Sequence, residues 1–105
     1  MTFEWDAAKS TRNLSVRGFD FEFASLVFGG TYVEFDDTRR DYGERRIVAL
    51  GLADDISLTV VFTDRVGPGS VVRRIISARL SNRKERRRYA EILEASRPQD
   101  DANER

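Results

Sequence analysis

The chain has neither cysteine nor histidine among its 105 residues. Lack of cysteine excludes disulfides and thiolate chemistry, and it fits a reducing compartment such as the cytoplasm. Lack of histidine leaves acid–base chemistry to Asp, Glu, Lys, Tyr or Arg. Together the two absences exclude metal sites built on imidazole or thiolate. An all-oxygen site would need clustered acids, and no acidic cluster has the spacing of a calcium loop; no metal or cofactor is expected. Long apolar runs are lacking too. The stretch "LTVVF" (58–62) is far too short to span a bilayer. The start "MTFEWDAAK" has no basic segment followed by an apolar one, so no signal peptide is expected. Overall charge of either sign is also absent, since 18 Lys and Arg balance 18 Asp and Glu.

That neutrality hides a segregation. The stretch "RRIISARLSNRKERRRY" (73–89) holds eight basic residues and one acid, so it carries +7 and the rest of the chain −7. All but one of the eight are arginine. Solubility is served as well by lysine, whereas a guanidinium is always charged and binds phosphate oxygens in pairs.

The length fits a single domain, expected over 1–97 and followed by a polar tail, 98–105, that is expected to be disordered. "FEW" (3–5) reads as a short extended or strand-like start. Asp6 is placed to cap a helix over about 7–16, which Gly18 ends. Asp20 is placed to cap a second helix, about 21–28, broken by Gly29-Gly30. Four strand patterns follow, at 31–35, 44–53, 56–65 and 71–80; the gaps between them suit antiparallel neighbours. Asn82 with Glu85 has the form of a capping box opening a last helix, about 83–96. The order predicts an α+β fold: an antiparallel four-stranded sheet with two N-terminal helices and one C-terminal helix, the helices on one face.

Period-two alternation sorts the fourth strand into two faces. Val72, Arg74, Ile76, Ala78 and Leu80 form the more apolar, core-facing set. Val71, Arg73, Ile75, Ser77 and Arg79 form the other, which puts two arginines and a hydroxyl on the open side. Arg65 and Arg46, at the ends of neighbouring strands, converge on them if the register is simple. Glu44 and Asp64 are the carboxylates nearest these arginines, each expected first as an ion-pair partner. The helical run "RKERRRY" suits a solvated face as well as a binding one, and Arg87 with Glu91 an ordinary helical pair. Tyr89 suits a core aromatic with its hydroxyl at the rim, or a stacking face for a base. Trp5 reads as an anchor of the N-terminal segment.

Taken in order, "FEWDAAKSTRN" (3–13), Gly18-Phe19-x-Phe21-Glu22-x-Ala24 with Val27-Phe28, "GERR" (43–46), "VVFTDR" (60–65) and "RIISAR" (74–79), followed by Glu85, Arg86 and Tyr89, resemble the BrnT family of toxins from bacterial type II toxin–antitoxin systems. The resemblance implies a compact RelE-like microbial ribonuclease fold, RNA cleavage with arrest of translation and growth, and a cytoplasmic location. It also implies a BrnA-like antitoxin with a ribbon-helix-helix part, two toxins assembling with two antitoxins, and contact with operator DNA only through the antitoxin. The family's polar positions map onto Trp5, Lys9, Asn13, Arg46, Arg65, Ser77, Arg79, Glu85 and Tyr89. On the residues and the resemblance together, Arg46, Arg65, Ser77, Arg79 and Glu44 form the catalytic set. Lys9, Arg17, Arg73, Arg86 and Tyr89 form the substrate-binding set. The chain departs from the family where Lys-His-Gly usually stands, reading Val16-Arg17-Gly18, and Gly29-Gly30 replaces an Asp-Pro. If the family's histidine is an acid or base, Arg17 does not replace it, because a guanidinium with a pKa above ~12 is a poor base.

Two functions from different classes therefore stand: a metal-independent endoribonuclease toxin, and a module that binds RNA or an acidic antitoxin segment without turnover. A purely structural domain is a third, and salt-insensitive or absent RNA binding is its mark.

Overall fold

The computed structural model describes residues 1–97. The elements are β1 (Thr2–Trp5), α1 (Ala7–Arg17), α2 (Phe21–Ala24), a 3-10 segment (Ser25–Gly29), β2 (Val33–Asp36), β3 (Ile47–Ala53), β4 (Ile56–Gly67), β5 (Ser70–Leu80) and α3 (Arg83–Ser96). The expected tail, 98–105, lies outside the described residues. Among the described residues no helix is long and apolar enough to cross a membrane.

The helix ends follow the caps expected from sequence. The Asp6 carboxylate accepts from the Lys9 amide at 3.0 Å, and Gly18, at φ 90°, closes α1. The Asp20 carboxylate accepts from the Phe23 amide at 2.8 Å. Asn82 and Glu85 exchange both bonds of a capping box at the start of α3. The second helix stays α-helical for only four residues before tightening into the 3-10 segment.

The sheet has five strands in the order β1-β5-β4-β3-β2, not the four expected. β2 to β5 form the antiparallel meander, and the N-terminal segment adds an edge strand that pairs parallel with Val72–Ile75 of β5. α1 intervenes between β1 and the meander, which gives the chain the length a parallel crossover needs. The helices do not share one face, as expected, but lie on both. Phe21, Ala24 and Val27 pack on the face formed by Ala49, Leu58, Val60, Phe62, Ile75 and Ala78. Tyr89 of α3 packs on the other, against Val48, Leu50 and Val61.

The largest departure from simple alternation is in β5. Val61 pairs with Ser77 and Phe62 with Ile75, so Ile76 is an extra residue, a β-bulge. Downstream the expected faces hold, and Ala78 is in the core. Upstream they are inverted: Arg73 and Ile75 are buried on the core side, and Arg74 lies on the open side with Ser77 and Arg79.

Candidate functional site

The open face, seen across the strands, is a set of rows. Leu50, Thr59 and Arg79 form one, Phe35, Val48, Val61 and Ser77 the next, and Thr63, Arg74 and Glu4 a third. Arg46 precedes β3, and the carbonyl of its neighbour Arg45 accepts from the Thr63 hydroxyl at 2.7 Å. Rows on one face are ~6.8 Å apart, so Arg79 and Arg46 are separated by a few nucleotide phosphates. A groove of about 410 Å³ runs over this face, with Val48, Val61, Thr59 and Ser77 as its floor. The start of α3 forms one wall with Arg79, Glu85 and Arg88; Asp36, Asp37 and Arg39 form the other.

Arg79 is held in the groove by Glu85. Its Nη1 and Nη2 donate to the two carboxylate oxygens at 2.8 and 2.7 Å, yet 42% of its side chain stays exposed. Glu85 also accepts from the Thr59 hydroxyl at 3.0 Å and the Asn82 amide at 2.9 Å, and the Thr59 and Ser81 hydroxyls lie 2.8 Å apart. The Arg79 guanidinium, with smaller help from the Asn82 amide and the Thr59 hydroxyl, holds the Glu85 carboxyl down at about 2. On the opposite wall Asp37 takes two bonds from Arg39, at 2.9 and 2.8 Å, and one from the Tyr42 hydroxyl at 3.3 Å. The Arg39 bond is the main reason its carboxyl also lies at about 2.

Glu44 and Arg46 meet at one end of the face, in a single contact of 3.2 Å, and the Arg46 guanidinium lies 4.0 Å over the Tyr42 ring. Arg65 is on the same face, bonded to Glu4 at 2.8 and 2.9 Å, and Arg74 reaches the same carboxylate at 3.2 Å. Arg86 turns away from the groove to donate to the Ser81 carbonyl at 2.7 Å. Tyr89 packs against Val48, Leu50 and Val61 and donates its hydroxyl to the Thr31 carbonyl at 2.8 Å. Lys9 and Arg17 are at the edge of β5, in a separate pocket that also reaches Ser77.

Arg73 does not join the others. It is 6% exposed, clamped by Asp64 with two bonds of 2.8 Å and packed over the Phe62 ring at 4.1 Å. The bulge at Ile76 is what turned it inward. Reading by sequence missed Arg74, Thr59, Arg39 and Arg88. Arg74 was hidden by the bulge. Arg88 had a signal, being one helical turn from Glu85. Arg39 lies in a polar loop and had none.

This is a small α+β protein with an arginine-walled, hydroxyl-floored groove suited to phosphate oxygens. A family model described as "Ribonuclease toxin, BrnT, of type II toxin-antitoxin system" matches residues 5–85. The chain belongs to that family, which implies an antitoxin as partner. A comparison with curated proteins gives no match. The matched span ends at Glu85, so it takes in the Arg79–Glu85 clamp and leaves most of α3 outside.

Proposed function

We propose that this chain is a RelE-like, metal-independent endoribonuclease that binds single-stranded RNA in the groove, with Arg79 at the scissile phosphate. The observation that carries the reading is the Arg79–Glu85 clamp, a guanidinium fixed by two short bonds but still open to the groove beside Ser77. In the reaction the ribose 2′ oxygen bonds to phosphorus and the bond to the 5′ oxygen breaks, leaving a 2′,3′-cyclic phosphate and a 5′ hydroxyl. Negative charge builds on the phosphoryl oxygens, and a donor already held in place stabilises it without reorganising. The 2′-OH proton leaves to a carboxylate or water, and the 5′ oxygen takes one up. Glu85, held near 2, is too weak a base for the first step and acts by positioning Arg79. Glu44 positions Arg46, and Arg46, Arg65 and Arg74 guide the flanking phosphates. Arg73 is assigned to the fold.

The partner in this reading is a BrnA-like antitoxin, two with two toxins, which covers the arginine face and so prevents arrest of translation. Operator DNA is reached through it. Inducing the chain alone in bacteria tests the proposal: growth should arrest, and co-expression of the neighbouring antitoxin gene should restore it. Unimpeded growth with abundant folded protein contradicts it.

One observation favours a second reading, RNA binding without turnover. Arg17, which stands in the place of the family's histidine, donates to the Ala78 carbonyl at 2.8 Å and brings no acid or base to the groove. Purified protein that binds RNA but leaves it intact would support this alternative.

A further inference from the structure

Resting on the ribonuclease reading, we propose that Lys9 and Arg12 of α1, beside the open edge of β5, form a second phosphate site that holds the RNA backbone where it leaves the groove. β1 pairs with β5 only as far as Ile75, so among the described residues the stretch from Ile76 to Leu80 has no strand on the side away from β4. α1 reaches this edge instead, fastened by the bond from Arg17 to the Ala78 carbonyl. Between helix and edge lies a pocket of about 350 Å³ whose lining includes Lys9, Arg12, Arg17 and Ser77. Ser77 also lines the main groove, so the two spaces meet at that residue.

The charge of this pocket differs in kind from that of the groove. Arg79 in the groove and the three arginines along the rest of the open face each have a carboxylate partner: Glu85 for Arg79, Glu44 for Arg46, Glu4 for Arg65 and Arg74. α1 carries Lys9, Arg12 and Arg17 and no acidic residue. Among the described residues, none of these three has a carboxylate within ion-pair distance. A phosphate reaching Arg79 must displace or share the Glu85 carboxylate, whereas one reaching Lys9 and Arg12 meets cations that, among the described residues, have no carboxylate partner. Lys9 and Arg12 are three residues apart, which puts them on one helical face at a rise of about 4.5 Å. That spacing lets both reach one phosphodiester or two successive ones.

Fluorescence anisotropy tests the site, using a labelled single-stranded RNA of about 12 nucleotides, long enough for an extended backbone path. Methylation of every 2′-OH prevents cleavage. Wild type, Lys9→Gln, Arg12→Gln and the double variant are titrated between about 50 and 200 mM salt. Each lost contact should lower the slope of log K against log salt by about 0.7, and the double variant by about 1.4. Arg12→Lys should keep the slope. An oligonucleotide of about four nucleotides, which fills only the groove, should bind all variants alike. Both side chains are exposed, so thermal melts should match wild type. A wild type that binds and cleaves RNA, with an unchanged slope in the folded double variant, overturns the edge site alone. A double variant that keeps the slope but loses a co-expressed antitoxin assigns the pocket to the antitoxin and overturns it equally. A wild type that binds no RNA at low salt overturns the groove and the edge site together.

Discussion

Arg73 and Arg74 are adjacent in β5 and meet opposite environments. Arg73 is buried against Asp64, Tyr32 and the Phe28 and Phe62 rings; Arg74 reaches across the open face to Glu4. Strict alternation assigns them the other way round, and no residue type at Ile76 announces that the strand gains a residue there. The bulge arises from pairing with β4, which a single strand's pattern does not contain. Ser77 and Arg79 were legible because they lie downstream of it. The burial of Arg73 gives a direct expectation. Arg73→Ala leaves Asp64 without its main partner beside the aromatic core, and should destabilise the fold by about 3–5 kcal/mol. Denaturant melts check this, and a loss below about 0.5 kcal/mol would show the pair to behave like a surface one.

At the scale of elements, the caps were the most legible features, because Asp6, Gly18, Asp20 and the Asn82–Glu85 pair act through bonds only a few residues long. The strand-like character of "FEW" was legible too, but its place as the fifth strand was not, since its partner, β5, comes from the far end of the chain. The β3–β4 hairpin turns through Asp54 and Asp55, both left-handed, at φ 49° and 67°. A two-residue turn of this kind favours Asn-Gly or Asp-Gly, and a second aspartate strains it. Asp55→Gly should therefore raise stability by up to about 1 kcal/mol, and a lower denaturation midpoint would contradict this reading of the turn. Gly51 answers a different demand. A Cβ there would lie 2.8 Å from Val27 Cγ1, so the glycine lets the 3-10 segment approach β3. Gly51→Ala should cost about 1–3 kcal/mol through overpacking, measured by the same melts.

At the scale of the whole molecule, the neutral chain is built from paired charges of unequal exposure, and its response to acid follows. The carboxyls of Glu85 and Asp37 lie at about 2 in the fold, below their ordinary 4.5 and 3.8. Groups depressed by folding bind more protons when unfolded. Their stabilisation is complete above the ordinary values and is lost as pH falls from about 4.5 towards 2. Urea melts should thus weaken across that window, and Glu85→Gln should flatten the acid limb. An unchanged limb in that variant would show that Glu85 does not set it. The overall class of the fold was legible in the order of its patterns, whereas the separation of helices onto two faces was not. It depends on α3 crossing back over β3, and on Tyr89 closing against Val48, Leu50 and Val61.

The measurement that bears most directly on the groove as a catalytic site is single-turnover RNA cleavage by Arg79 variants, each paired with a denaturant melt. Arg79→Ala should lose about 10²–10³-fold in rate, the scale for removing one fixed transition-state donor. It should remain folded at a stability cost of about 1–3 kcal/mol, because Glu85 keeps its bonds from Thr59 and Asn82. Arg79→Lys should recover only part of the rate, since a point charge lacks the two-pronged fork. A folded Arg79→Ala protein that cleaves at the wild-type rate would contradict the account.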